Sequence, residues 1–138
     1  MAHWRLFYHF VWATKNREPL LTPELRTPVF RYLAGKGREL GATVLAVSGV
    51  EDHMHVVAAV PPRVAPAEFV KRLKGASSRL VSKEYELAFA WQEGYGVYSL
   101  SEEHVPAAVE YVRRQNEHHL GDTLVGAWER VDEPGGTT

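Results

Sequence analysis

One segment constrains the fold of this chain more than any other: residues 53–60 read HMHVVAAV. Apart from its two histidines the segment is apolar at every position, which predicts a β-strand that is covered on both faces. Pro61 and Pro62 follow directly, and they end the strand because proline cannot donate a hydrogen bond within a sheet. We therefore expect this strand in the middle of a sheet rather than at its edge.

The rest of the chain alternates between strand and helix patterns. Strands are indicated by runs of β-branched and aromatic residues, and helices by apolar residues at spacings of three and four. Proline opens two of the helices, a position where its fixed backbone angle and missing N–H are tolerated. With 53–60, the predicted strands are 4–14, 43–49 and 96–100, and the predicted helices are 23–40, 66–83 and 101–119.

The order of these segments indicates a fold class. β-α-β-β-α-β is the order of the ferredoxin-like, split-βαβ fold, so we expect an α+β domain: an antiparallel sheet with helices on one face, plus a C-terminal helix. Thr22 and Ser101 are expected to cap the first and third helices, because hydroxyl groups accept hydrogen bonds from the first helical N–H groups. No repeat or linker interrupts the pattern, so residues 1–131 are predicted to form one domain and 132–138 a disordered tail.

Composition excludes several classes of protein. The 138 residues include no cysteine, which excludes a thiol nucleophile, a disulfide framework and a cysteine-ligated zinc site. No apolar run approaches the roughly 18 residues of a membrane span, and the N-terminus lacks the basic-then-apolar order of a signal peptide. We therefore expect a cytoplasmic protein without a membrane partner.

The net charge of −1 conceals an asymmetry along the chain. Residues 1–83 hold 13 Lys and Arg against 6 Asp and Glu, whereas residues 84–138 hold 3 against 11. A basic portion is compatible with the binding of a polyanion on one surface. The alternative, that the two portions pair with each other or form solvated faces, agrees with the charges equally well.

His53 and His55 are candidate metal ligands. Side chains alternate along a strand, so residues i and i+2 share a face and these two imidazoles are expected to be neighbours. Two neutral imidazoles in that arrangement suit a single cation. The alternative is a pair of structural histidines, each hydrogen-bonded within the sheet.

The last predicted helix carries a second group of candidate site residues. Tyr111 and Gln115 are one turn apart and therefore neighbours on one face, an arrangement that presents a phenol and an amide to a cleft. The alternative is that both side chains merely border the core. Four residues cluster beside the apolar stripe of this helix: His104, Tyr111, Gln115 and His118.

Basic residues cluster at two places that are candidates for DNA binding. Mixtures of lysine, arginine and serine are typical of phosphate contacts. Aromatic residues such as Trp91 and Tyr95 are able to stack on unpaired bases when exposed, although Trp91 is equally compatible with a place in the core. The basic candidates are Lys15 and Arg17 in a turn, and Lys71, Arg72, Lys74 and Arg79 on the second helix.

The combination of His-hydrophobe-His on a central strand with Tyr-x-x-x-Gln on a later helix resembles the HUH endonucleases. More narrowly, the chain resembles the single-tyrosine transposases of small bacterial insertion sequences and their relatives, the REP-associated tyrosine transposases. The resemblance covers nearly the whole chain in order. It depends on five stretches: YHFVWATKNREPLLTPE (8–24), GVEDHMHVV (49–57), EFVKRLKGASSRLV (68–81), FAWQEGYGVYSLS (89–101) and VEYVRRQNEHH (109–119).

The resemblance implies a metal-dependent endonuclease and strand transferase that acts on single-stranded DNA. It implies that Tyr111 attacks a DNA phosphate, leaving a 5′-phosphotyrosine link and a free 3′-hydroxyl. It also implies that His53, His55 and Gln115 hold a divalent metal, for which Mg²⁺ or Mn²⁺ suits this mixture of nitrogen and oxygen ligands. Asp52 is a candidate for orienting His53.

The resemblance further implies the partners of the chain. These are DNA hairpins near the ends of a mobile element, and a second copy of the chain in a homodimer, with the tyrosine helix of one copy completing the site of the other. Two alternatives stay open: a domesticated nuclease that acts on chromosomal palindromic repeats, and a non-catalytic module that binds single-stranded nucleic acid.

Overall fold

The computed structural model describes residues 3–115, and its elements follow the predicted order. The predicted tail at 132–138 and the end of the last predicted helix lie outside the described residues. The strands are β1 (Phe7–Ala13), β2 (Thr43–Val50), β3 (His53–Ala59) and β4 (Gly96–Leu100). The helices are α1 (Pro23–Glu39), α2 (Pro66–Glu84) and α3 (Val105–Arg113), with 3-10 turns at Lys15–Arg17 and Glu102–His104.

The four strands form one antiparallel sheet in the order β2-β3-β1-β4. Strand β3 is therefore interior, and every one of its residues is buried. This confirms the interior position that its largely apolar pattern predicted.

Helices cover both faces of the sheet, which confirms the α+β, ferredoxin-like class with an additional helix. Helices α1 and α2 pack on the face that carries Phe10, Trp12 and Met54. Helix α3 packs on the opposite face, where Ala108 and Val112 contact the strands. Because strand residues alternate between faces, the histidines of β3 point towards the α3 side while Met54 enters the larger core.

The helix starts differ in detail from the prediction. Each of the three helices has proline in its first turn, but the side chain of Thr22 makes no capping hydrogen bond. Ser101 precedes a 3-10 turn, in which its Oγ lies 2.5 Å from Nδ1 of His104, so α3 begins only at Val105. Among the described helices, none combines the length and the apolar character needed to cross a membrane.

Candidate active site

His53 and His55 lie side by side on the face of the sheet that α3 covers. Their ring centroids are 5.1 Å apart, and both side chains are buried. The spacing of two residues along a strand therefore brings the imidazoles together as predicted.

Each of these imidazoles forms a hydrogen bond through Nδ1. Nδ1 of His53 donates to Oδ1 of Asp52 over 2.8 Å, and Nδ1 of His55 lies 2.8 Å from Nε2 of His9. A histidine that binds a metal through one nitrogen is usually oriented by a hydrogen bond through the other. The two contacts therefore favour Nε2 as the ligating atom of both rings.

Sequence reasoning missed His9, which lies on β1 and is fully buried. In the β1–β3 pairing Val11 is opposite His55, so His9 lies two residues along on the same face. The signal was a histidine inside a strand otherwise rich in apolar residues. Its meaning depends on the register between two strands that are distant in sequence, and the sequence alone does not supply that register.

Tyr111 enters the same site from α3. Its ring centroid lies 5.8 Å from that of His55 and 6.1 Å from that of His9. The side chain is only 6% exposed and packs in the apolar cluster that contains Val57 and Val112. A phenol and the two candidate metal ligands therefore converge within one chain.

Gln115 lies four residues after Tyr111, beyond Arg113 where α3 ends, and is fully buried. Within the part of the chain that the structure describes, neither its amide nitrogen nor its amide oxygen has a hydrogen-bond partner. A buried polar group in that state costs about 1–3 kcal/mol, which a ligand to the oxygen would offset.

The chemistry of the donor set agrees with a divalent metal. No group of three or more His, Cys, Asp or Glu residues is arranged to hold a metal among residues 3–115. A metal at this site would thus depend on the two imidazoles and on the Gln115 oxygen, and it would retain positions for water or a phosphate. This mixture of nitrogen and oxygen donors fits a six-coordinate ion such as Mg²⁺ or Mn²⁺.

The first basic candidates, Lys15 and Arg17, are exposed in the turn that follows β1. The backbone N–H of Thr14 donates to the carbonyl of Asp52 over 2.9 Å, which fixes this turn beside the end of β3 that carries His53. Asn16 and Arg17 both have a φ of 56°, a left-handed conformation that is uncommon outside glycine. The turn therefore places two basic residues beside the end of β3 at which His53 begins the strand.

The second basic group lies on α2, on the face of the sheet opposite to His53 and His55. Lys71, Arg72 and Arg79 are exposed there and line a groove of about 450 Å³ between α1 and α2, to which Lys36 also contributes. Arg72 donates to the Glu68 carboxylate over 2.8 Å, and this hydrogen bond lowers the pKa of Glu68.

Lys74 has a structural role that the sequence did not indicate. Its Nζ donates to the carbonyl oxygens of Gln92 and Gly94 over 2.6 and 2.9 Å, and burial lowers the pKa of its amine. Trp91, in the same loop, is half-buried against the core and donates from Nε1 to Oγ of Ser77 over 2.9 Å. This places Trp91 with the core and not among exposed stacking residues.

Comparison with known proteins now assigns the family. The sequence model described as "Transposase IS200 like" matches residues 2–115. The chain belongs to the IS200-like transposase family. Its members are enzymes of DNA transposition.

Individual relatives match most of the chain. It is 26% identical over 121 residues to the ISDra2 transposase TnpA of Deinococcus radiodurans, covering 83% of this chain and 86% of that protein. It is 27% identical over 134 residues to the IS200 transposase of Salmonella typhimurium, covering 90% and 88%.

Solved structures of two transposases have the same fold. A crystal structure of a Deinococcus radiodurans protein assigned as a transposase superposes with a TM-score of 0.64 at 25% identity, covering 88% of this chain and 92% of that one. A REP-associated tyrosine transposase bound to a REP hairpin gives a TM-score of 0.63 at 17% identity, covering 86% and 74%.

Proposed function

We propose that this IS200-like transposase is a metal-dependent endonuclease and strand transferase for single-stranded DNA, with Tyr111 as its nucleophile. The observation that carries the proposal is the convergence of Tyr111 with His53 and His55 in one buried site. A protein that only bound DNA would not need a phenol beside paired imidazoles.

The phenol oxygen of Tyr111 attacks the phosphorus of the scissile phosphodiester. A bond forms between that oxygen and phosphorus, and the bond from phosphorus to the 3′-oxygen breaks. The phenol proton is lost to solvent, and the departing 3′-oxygen gains a proton, so the products are a 5′-phosphotyrosine link and a 3′-hydroxyl end. The covalent link conserves the phosphodiester energy, so a 3′-hydroxyl is able to reverse the step without a nucleotide cofactor.

His53 and His55 would hold the metal through Nε2, and Gln115 would contribute its amide oxygen. When bound, a divalent metal polarises the phosphate and stabilises the charge that develops in the transition state. A free phenol is almost fully protonated at neutral pH, because its pKa is about 10. Tyr111 therefore benefits from a cation close to its oxygen.

The basic residues supply the DNA contacts in this proposal. Lys15 and Arg17 would hold the strand near the scissile phosphate, because their turn adjoins the end of β3. Lys71, Arg72 and Arg79 would contact phosphates of a duplex segment in the groove between α1 and α2, while Lys74 would act mainly by fixing the loop before β4. The hairpin-bound state of the REP-associated relative supports a hairpin as the duplex segment.

A homodimer in which α3 completes the partner's site is part of the proposal. In the structure the rings of Tyr111 and His55 lie 5.8 Å apart within one chain, so a site contained in a single chain is the alternative to one completed by the partner's α3. The two arrangements make different predictions. Mixing Tyr111→Phe with His53→Ala chains restores cleavage only if a dimer combines the tyrosine of one copy with the histidines of the other. Failure of the mixture to cleave would assign both halves of the site to one chain.

The proposal is tested by incubating the protein with single-stranded DNA from an element end and Mn²⁺, followed by denaturing electrophoresis. The wild type forms a covalent adduct that a chelator abolishes, and Tyr111→Phe forms none while it still binds DNA. Tyr98→Phe is the matched control, because the ring of Tyr98 also lies near the buried histidines, with its centroid 6.4 Å from that of His9. The assignment of the nucleophile would be overturned if Tyr111→Phe still formed the covalent adduct, or if Tyr98→Phe were the only one of the two variants that failed to form it.

A further inference from the structure

His9 forms a close polar contact with the candidate ligand His55. Nε2 of His9 lies 2.8 Å from Nδ1 of His55, and the ring centroids are 5.0 Å apart at an interplanar angle of 39°. Both side chains are fully buried. The hydrogen bond joins two central strands, because His9 lies on β1 and His55 on β3.

The geometry argues against His9 as a third metal ligand. The described residues contain no group of three or more His, Cys, Asp or Glu that is arranged around a metal position. In addition, the nitrogen of His9 nearest the other imidazoles already faces Nδ1 of His55. His9 would therefore affect a bound metal only through its hydrogen bond with His55.

We infer that His9 is a positioning residue: its Nε2 accepts the Nδ1 proton of His55, so that Nε2 of His55 is the unprotonated nitrogen that would hold the metal. The inference rests on the proposed function, because it assumes that His55 is a ligand. The proton balance is complete without an ionised group: His55 carries its proton on Nδ1 and His9 carries its own on Nδ1.

The two ligands have different orienting groups, and their burial explains the difference. His53 donates to the carboxylate of Asp52, whose side chain is 27% exposed and therefore partly solvated. At the position of His9 the side chain is fully buried, where a carboxylate would carry a large desolvation cost. A neutral imidazole accepts the same hydrogen bond without placing a charge between two strands.

The inference is tested first on the metal-free wild-type protein. Two-dimensional NMR that correlates imidazole nitrogens with ring protons identifies which nitrogen of His55 carries the proton. We expect Nδ1–H for His55 in the wild type and a shift towards Nε2–H in His9→Phe, which keeps a ring but removes the acceptor. A wild-type His55 protonated at Nε2 would overturn the inference without any variant.

The second measurement is Mn²⁺ affinity by electron paramagnetic resonance, in the absence of DNA. Loss of an orienting partner typically weakens metal binding about 10–100-fold, so we expect a loss in this range for His9→Phe. His9→Gln should recover most of the affinity, because its side-chain amide oxygen is able to accept from Nδ1 of His55. Val11→Ala is the matched control: Val11 is buried opposite His55, and its truncation alters the packing without touching the hydrogen bond.

The outcomes separate the inference from the proposed function. If His53→Ala and His55→Ala bind Mn²⁺ as well as the wild type does, the proposed metal site is wrong, and the role of His9 is overturned with it. If those variants lose binding but His9→Phe does not, only the role of His9 is wrong. Equal losses of Mn²⁺ affinity in His9→Gln, His9→Phe and Val11→Ala would show that His9 acts through packing. If His9→Phe does not fold, the comparison of His9→Gln with Val11→Ala makes the same distinction.

Discussion

Removal of the Asp52 carboxylate tests whether the orientation of His53 matters for the proposed metal binding. Asp52 accepts the Nδ1 proton of His53 over 2.8 Å, and hydrogen bonds to charged groups contribute about 1.5–3 kcal/mol. Because the Asp52 side chain is 27% exposed, we take the lower end, about 1.5–2 kcal/mol for Asp52→Ala. This corresponds to roughly a 10–30-fold loss of Mn²⁺ affinity, since about 1.4 kcal/mol is tenfold.

Asp52→Asn should have a smaller effect, because it keeps an acceptor oxygen and loses only the charge. Neutral hydrogen bonds are roughly half as strong as charge-assisted ones, so we expect a loss of about three- to fivefold. Mn²⁺ titration followed by electron paramagnetic resonance measures both variants. Glu51→Gln is the matched control, since it removes the adjacent carboxylate, which lies 3.8 Å from Arg26 instead.

Wild-type affinity in Asp52→Ala would refute the reasoning, because His53 would then bind without an orienting partner. An equal loss in Glu51→Gln would also refute it, by attributing the effect to the general negative charge of the turn. Circular dichroism of each variant establishes that the fold is retained. The order wild type, Asp52→Asn, Asp52→Ala is therefore the decisive observation.

Three further predictions concern stability and DNA binding. Gly75→Ala should stabilise the protein by about 1 kcal/mol in urea unfolding, since an added Cβ meets no atom within 4 Å. Gly49→Ala should destabilise it by about 1–3 kcal/mol, since its Cβ would lie 2.7 Å from the His53 carbonyl oxygen. Equal changes in stability for the two variants would contradict this prediction. Burial lowers the pKa of Lys74, so the folded state loses that proton at a lower pH than the unfolded state does. The free energy of unfolding should therefore rise with pH up to the ordinary lysine pKa of 10.5. Urea unfolding of Lys74→Met over this pH range should show a smaller rise, and an unchanged rise would show that Lys74 does not cause it. Lys71→Ala should reduce the slope of log affinity against log salt by about one in hairpin-binding titrations, whereas an unaltered slope would remove Lys71 from the DNA surface.

The sequence predicted best the features that depend on local periodicity. Strand β3 and the shared face of His53 and His55 follow from alternation within one strand, and the positions of α1 and α2 in the sequence follow from the helical spacing of apolar residues. The predicted start of α3 was wrong because the residues after Ser101, Glu102–His104, form a 3-10 turn, and helix-capping rules do not distinguish such a turn from the first turn of an α-helix. His9 was missed because its role depends on the pairing of β1 with β3, which only the folded sheet defines.

The structure also connects the two proposed DNA-contact surfaces, which are the basic turn after β1 and the groove that α2 lines. The backbone carbonyl of Gln92 accepts from Lys74 of α2 over 2.6 Å, while its side-chain oxygen accepts from the backbone N–H of Asn16 over 2.8 Å. One residue thus bonds both to the helix that lines the groove and to the basic turn beside His53. Because Arg17, the next residue, has a left-handed conformation, which is costly for a bulky residue, the bond from Gln92 to Asn16 contributes to holding that turn in place. DNA that engaged both surfaces would therefore meet a basic turn whose position is already fixed relative to α2, which reduces the ordering cost of binding.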